Sequence, residues 1–282
     1  MSQLCLIGTG VALAEKVSRA VAVFRENEPA EGYYGAFSGG KDSCTIKKLA
    51  ELAGVRIEWW YNNTTIDPPE LIRFIKSDHP DVRWHSPRHG NMLHRIETAP
   101  KVPPTRRVRW CCDEYKEWGG DGRFKVIGVR QEESKARQAW REVAEDLKGN
   151  PVLCPIVHWT TEDVWEFLRS YSVPYCALYD EGWTRLGCVG CPLNNQARDR
   201  EFLRWPKYAE KWKKAVIGNW ERWKDVPRKR DGKPRTQAHF KSGEEFWQWY
   251  IGDHHGKDII RECQGGKLWT NEAEENDDMG RI

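Results

Sequence analysis

The sequence predicts an α/β fold, a doubly wound and mostly parallel sheet with a helical, basic C-terminal appendage. Three observations predict it. Up to about residue 195, short strand-like runs alternate with segments of helical periodicity. A glycine-rich turn, Ser38-Gly39-Gly40-Lys41-Asp42-Ser43, joins the first of those runs to a helix. Beyond residue 195 the composition shifts to lysine, arginine and tryptophan.

The elements follow in order. Leu13, Val17, Ala20, Val21 and Phe24 recur at spacings that predict an amphipathic helix over 11–27, closed by Pro29 and Gly32. Tyr33-Tyr34-Gly35-Ala36 reads as a strand, and the segment after the glycine turn as a helix ending near Gly54. Ile57, Trp59 and Tyr61 alternate in a second strand over 56–61, with the polar Asn62-Asn63-Thr64-Thr65 at its carboxyl end. Pro68 and Pro69 suit the first turn of a helix running through Ile75. A short strand is expected over 82–85, then a helix and a proline-broken loop within 90–105. Residues 124–129 and 152–156 are further strands, the former ending in Gly128-Val129-Arg130, and 160–170 is a helix with Val164, Trp165, Phe167 and Leu168 facing inward. Ligands of such sheets sit outside the carboxyl ends of the strands, where the glycine turn, residues 62–65 and Arg130 all fall.

The chemistry of the turn is that of an anion site. Gly39 and Gly40 let backbone approach an oxyanion, and the following helix N-terminus aims free N–H groups and partial positive charge at it. Lys41 adds a full charge, Ser38 and Ser43 add hydroxyls, and Asp42 can cap the helix or hold a metal. The spacing is not that of the Walker loop.

Composition narrows the class. The 282 residues suffice for one or two domains, and the formal charge of +3 is nearly balanced. No apolar run of about 18 residues suggests a membrane span, and the first ten residues lack the basic start of a secretory signal. The nine cysteines are therefore expected as free thiols or metal ligands in a reducing cytoplasm. Cys111 and Cys112 form a doublet, and Cys188 and Cys191 a Cys-x-x-Cys. Four thiolates in two close pairs suit a tetrahedral metal or an iron–sulfur cluster; adjacent cysteines wrap a single zinc awkwardly, whereas a cluster tolerates neighbours. Cys5, Cys44, Cys154 and Cys176 stand alone among apolar residues and read as packing.

Ser-Gly-Gly-Lys-Asp-Ser resembles the PP-loop of the adenine nucleotide α-hydrolase superfamily. A PP-loop followed by Cys-Cys and Cys-x-x-Cys resembles, more narrowly, the cluster-bearing sulfonucleotide reductases, which act on adenylyl sulfate (APS) or its 3′-phosphorylated form (PAPS). The sulfurtransferase of DNA phosphorothioation is a relative of that family. Segments Gly128-Val129-Arg130 with Glu133-Ser134 and Arg137, Trp159-Thr160 with Asp163-Val164-Trp165, and Leu178-Tyr179-Asp180 with Gly182 are similar to it as well. The resemblance covers roughly residues 35–193 and implies a Rossmann-like PP-loop fold. It further implies that Ser38, Gly39, Gly40, Lys41, Asp42 and Ser43, with Gly128, Arg130, Ser134 and Arg137, bind an adenine nucleotide (ATP, APS or PAPS). Cys111, Cys112, Cys188 and Cys191 would carry a [4Fe–4S] cluster. The reductases end in a Glu-Cys-Gly-Leu/Ile-His segment whose cysteine attacks sulfur, leaving a thiosulfonate for a thioredoxin-like reductant. Here Glu262-Cys263-Gln264-Gly265 keeps the Glu-Cys pair and lacks the rest, so Cys263 is the candidate nucleophile on that pair alone.

The expected division is a nucleotide and cysteine domain over 1–195, a basic helical segment over 196–269 and an acidic tail over 270–282. Residues 198–241 hold fifteen Lys/Arg against six Asp/Glu, with Trp205, Trp212, Trp220 and Trp223 interleaved. That pattern is expected either as a solvated helical face or as a grip on RNA or DNA, with cations on phosphates and tryptophans on bases. Three functions follow: a sulfonucleotide reductase, an ATP-dependent nucleic-acid sulfurtransferase, and a non-enzymatic nucleotide and cluster sensor.

Overall fold

The computed structural model describes residues 2–252 with the exception of 147; Cys263 and the acidic tail lie outside the described residues. Its sheet has six strands: β1 (Tyr33–Ala36), β2 (Ile57–Asn62), β3 (Arg83–His85), β4 (Lys125–Val126), β5 (Val143–Glu145) and β6 (Pro151–Leu153), in the spatial order β3-β2-β1-β4-β6-β5. All pairings are parallel except β5 with β6. The chain winds outward through β1, β2 and β3, then restarts beside β1 with β4. The carboxyl ends of β1 and β4 therefore meet at the switch point where such sheets bind ligands.

Close packing fixes the register there. A Cβ on Gly35 of β1 would stand 2.3 Å from the ring of Trp59 on β2, so only glycine lets that indole cross the strand. Nine helices surround the sheet within the described residues: α1 (Ser2–Glu26), α2 (Lys41–Ala53), α3 (Pro69–Asp78), α4 (Met92–Thr98), α5 (Trp110–Tyr115), α6 (Thr161–Ser170), α7 (Asn195–Arg204), α8 (Pro206–Trp223) and α9 (Gly243–Ile251). Local signals explain several boundaries. Gly54 ends α2 in the left-handed conformation, its N–H reaching the carbonyls of Ala50 and Glu51. Pro69 opens α3, and Thr160 with Asp163 forms a capping box on α6.

The main core joins the sheet to α1, α2, α3 and α6 through residues such as Phe24, Ile46, Leu49, Ile75, Val126 and Phe167. A second core contains no strand residue. It combines Ile66, Ile96, Trp110, Tyr115 and Cys188 with Trp212, Val216, Phe246, Trp247 and Tyr250, so its packing crosses position 195. Asn219 is fully buried at its centre: its amide donates to the carbonyls of Ile96, Ala99 and Lys101, and its oxygen accepts from Gln237.

Several expectations are corrected. The strand expected over 124–129 pairs only at Lys125 and Val126; beyond Ile127, whose N–H still reaches Leu153, the chain leaves the ladder to approach α2. The strand expected over 152–156 likewise spans Pro151–Leu153. The first helix begins at Ser2, well before residue 11. Helix α5 and the antiparallel edge strand β5 were without a periodic signal. Trp165 is half-buried, while Val164, Phe167 and Leu168 face the core as expected. Of the tryptophans of the basic segment, Trp205 and Trp212 are buried, and Trp220 and Trp223 are half-buried. No described helix is long and apolar enough to cross a membrane.

Candidate functional site

The glycine turn is built by the strand before it and the helix after it. Gly39 has φ +73°, and a Cβ there would stand 2.8 Å from Leu71 and Ile75 of α3. This is a position that needs glycine for both conformation and space. The turn is held closed by its own hydroxyls. Ser43 Oγ donates to the Gly40 carbonyl at 2.8 Å and Ser38 Oγ lies 3.3 Å from Ser43 Oγ. The Lys41 N–H donates to Tyr179 Oη at 2.9 Å. Tyr179 lies in a segment noted for its resemblance, but no spacing in the sequence couples it to Lys41.

Asp42 organises the charges. Its carboxylate takes Lys41 Nζ at 3.0 Å on one oxygen and Arg130 Nε at 2.7 Å on the other. Arg130 is buried to 3% and also reaches Glu132 at 2.7 Å and Thr161 Oγ1 at 3.3 Å. Gly128 explains how β4 delivers Arg130 there: a Cβ on it would stand 3.1 Å from the backbone and side chain of Asp42. Arg137 pairs with Glu133, and its guanidinium is pushed below its ordinary range by burial and by the neighbouring Arg185, Arg109 and Arg130, against the pull of Asp42. Ser134 is exposed and makes no cap bond with the turn that follows it. The loop and Arg130 are thus brought together, with Arg137 and Ser134 on the segment that leaves Arg130.

Arg109 links this set to the cysteines. It sits at the start of α5, and its guanidinium lies 3.6 Å from Cys112 Sγ. Cys111 and Cys112 share a hydrogen bond that holds Cys112 down as the thiolate, helped by Arg109 and Lys116, while Cys111 is raised as its thiol donor. Burial raises Cys188 and Cys191, with Lys116 opposing it in both. Each cysteine pair lies within the electrostatic reach of the other, so the four predicted thiols converge from two distant segments. They do not close on one point: among the described residues no group of three or more His, Cys, Asp or Glu side chains could hold a single metal ion.

The Cys-x-x-Cys turn is pinned on several sides. The Val189 N–H donates to the Ile66 carbonyl at 2.9 Å, Trp212 Nε1 donates to the Val189 carbonyl at 2.8 Å, and the Gly190 N–H donates to the buried Glu201 at 2.6 Å. Asn62, at the end of β2, donates to the carbonyls of Lys116 and Trp118 and fixes the exit from α5. Lys116, Arg109, Arg185 and Glu201 escaped sequence reasoning, as did the bond from Lys41 to Tyr179. Lys116 and Arg109 lie within four residues of the doublet, which is the one local signal that could have found them.

The phosphoadenosine phosphosulfate reductase domain model matches residues 33–194. The chain belongs to that family. The matched span runs from β1 through the Cys-x-x-Cys and leaves α8 and α9 outside. Within this family, the chain is 36% identical to the adenosine 5′-phosphosulfate reductase of Staphylococcus saprophyticus, over 52% of this chain and 62% of that protein. It is 27% identical to an uncharacterized protein of Methanocaldococcus jannaschii, over 64% of this chain and 40% of that one. The chain thus spans about half the length of the curated relatives it matches. Among solved structures, a phosphoadenylyl-sulfate reductase from Candida auris in its phosphate complex aligns with a TM-score of 0.49 at 15% identity, covering 68% of this chain and 97% of that one.

Proposed function

We propose that this member of the phosphoadenosine phosphosulfate reductase family is a sulfonucleotide reductase-like enzyme. Its site would bind APS or PAPS between the PP-loop and the four cysteines. The observation that carries this reading is the row of cations between them. Lys41 and Arg130 meet on Asp42, and Arg130, Arg185 and Arg109 all act on Arg137, which burial first and those cations second depress. Like charges held near one another favour an anion between them. A sulfonucleotide carries negative charge along its length, and so answers both the loop amides and the arginines beyond them.

Cys111, Cys112, Cys188 and Cys191 are the residues that would hold a [4Fe–4S] cluster. They fit it by donor type, by packing in or against the second core (Cys111, Cys188 and Cys191) and by Lys116 and Arg109 beside them. The cluster would supply a fixed charge near the sulfate end of the substrate. In the reaction, the Cys263 thiolate attacks the sulfonyl sulfur, an S–S bond forms, and the S–O bond to the nucleotide breaks. AMP leaves from APS, or adenosine 3′,5′-bisphosphate from PAPS. A thioredoxin-like dithiol then cleaves the resulting thiosulfonate, releasing sulfite as the dithiol becomes a disulfide.

The reductase reading is preferred to the nucleic-acid one because Trp205 and Trp212 are core residues and Lys213, Arg228 and Arg230 lie beside Glu244 or Asp231. Anaerobic calorimetric titration with APS, PAPS and ATP, beside a sulfite-release assay with thioredoxin, tests the proposal. The expected result is preferential binding of one sulfonucleotide, loss of that binding in Lys41→Ala, and loss of sulfite with retained binding in Cys263→Ser. ATP binding with no sulfite from either sulfonucleotide refutes it.

A further inference from the structure

Helix α9, which lies outside the matched domain, brings Tyr250 onto the cysteine site. The ring stacks on Trp212 at 5.7 Å and on Trp247 at 6.1 Å and is 7% exposed. Arg198 fastens the end of the helix by donating to the carbonyls of Tyr250 and Ile251. The Tyr250 hydroxyl is buried without a hydrogen-bond partner, although native structures rarely leave such a group unpaired. Cys111 and Cys191 pack against the core that holds Tyr250, and their thiols are among the groups acting on it. Tyr115, on α5, repeats the pattern: it is fully buried, its hydroxyl has no partner, and Cys111 is among its electrostatic neighbours. Two orphaned donors from two elements thus lie in the core against which Cys111 packs.

We propose that the Tyr250 hydroxyl donates a hydrogen bond to a sulfur of the cluster site, at Cys111 or Cys191, with Tyr115 as a second donor at Cys111. This rests on the cluster reading above. Tyr250 is on this account a positioning residue. It makes the electronic state and persistence of the centre depend on α9, because hydrogen bonds to the sulfurs tune such centres. A phenol placed there satisfies both sides at once: the hydroxyl gains an acceptor, and a buried anionic sulfur gains a donor.

The test uses the full chain, loaded anaerobically with iron and sulfide, in wild-type, Tyr250→Phe and Trp247→Phe forms. Iron and acid-labile sulfide are counted first, then resonance Raman spectra are taken in H₂O and D₂O. In Tyr250→Phe the iron content is expected to be unchanged, the Fe–S(Cys) stretching bands to move to higher frequency, and part of the wild-type deuterium shift to vanish; Trp247→Phe should change neither. Lower iron in Tyr250→Phe with an unchanged apoprotein melt also supports the proposal, since the hydroxyl then holds the cluster rather than the fold. A loaded Tyr250→Phe with wild-type bands and deuterium shift overturns it, as does a lowered apoprotein melt with reduced iron, which assigns Tyr250 to packing. Wild-type protein that takes up neither iron nor sulfide overturns the cluster reading itself, and this inference with it.

Discussion

Replacing Arg130 by methionine tests whether the Asp42 pairing is the hinge of the proposed nucleotide site. Arg130 is almost wholly buried, whereas the Asp42 side chain keeps 20% of its exposure and a second partner in Lys41 at 3.0 Å. Breaking a buried ion pair from one side costs about 3–5 kcal/mol when the other charge is stranded. Here Lys41 and partial solvation spare Asp42 some of that, so about 2–3 kcal/mol is the expected loss at this contact. The contact to Glu132, whose side chain is 44% exposed, adds little. At about 2–4 °C per kcal/mol for a chain of this size, the melting temperature should fall by roughly 5–10 °C. Loss of a charge-assisted contact to an anion should also weaken sulfonucleotide binding by about one to two decades. Differential scanning calorimetry and anaerobic titration measure the two effects. The double variant with Asp42→Asn separates pairing from packing, because the double should cost clearly less than the sum of the singles. Additive losses together with unchanged nucleotide affinity would show that Arg130 is only a core cation.

Two further outcomes follow from the packing. Asn219→Ala strands the carbonyls of Ile96 and Ala99, while the Gln237 amide keeps the Lys101 carbonyl at 3.3 Å, so a loss of about 2–4 kcal/mol is expected in urea unfolding, with iron content reading whether the second core also supports the cysteines. His79 is buried against Phe37 and Phe74, with Lys47 Nζ 3.3 Å from Nδ1 and Cys44 Sγ 3.8 Å from Nε2; burial first, and Lys47 second, lower its pKa to about 4 despite Asp81 and Asp78. Because the unfolded chain then binds the extra proton between about pH 4 and 6.5, stability should rise with pH across that window and fall as pH drops through it, by at most about 3 kcal/mol from this residue. His79→Asn should flatten that part of the stability profile, and an unchanged slope would assign the dependence to other groups.

Local chemistry carried much of this protein in its sequence. The glycine turn declared itself because a strand end, two glycines, a lysine and a helix start are consecutive there. The strand–helix alternation was legible because side chains buried on two-layer packing impose periods that survive in the text of the chain. The two cysteine pairs were legible as pairs for the same reason of spacing. What the tertiary structure decided is everything that depends on residues far apart in the chain. Asp42 meets Arg130 across 88 positions because β4 lies beside β1, and Gly128 is small enough to let it. Tyr179 receives the Lys41 N–H across 138 positions. The fate of the tryptophans was beyond sequence reasoning as well, since basic residues at helical spacing cover a buried indole and an exposed one alike. Trp212 and Tyr250 turned out to wall the cysteine site because α8 and α9 bury their apolar faces against α4 and α5, a choice made by packing and by the buried Asn219 network. Spacing along a chain records what must be adjacent in a turn or on a face. It does not record which faces meet.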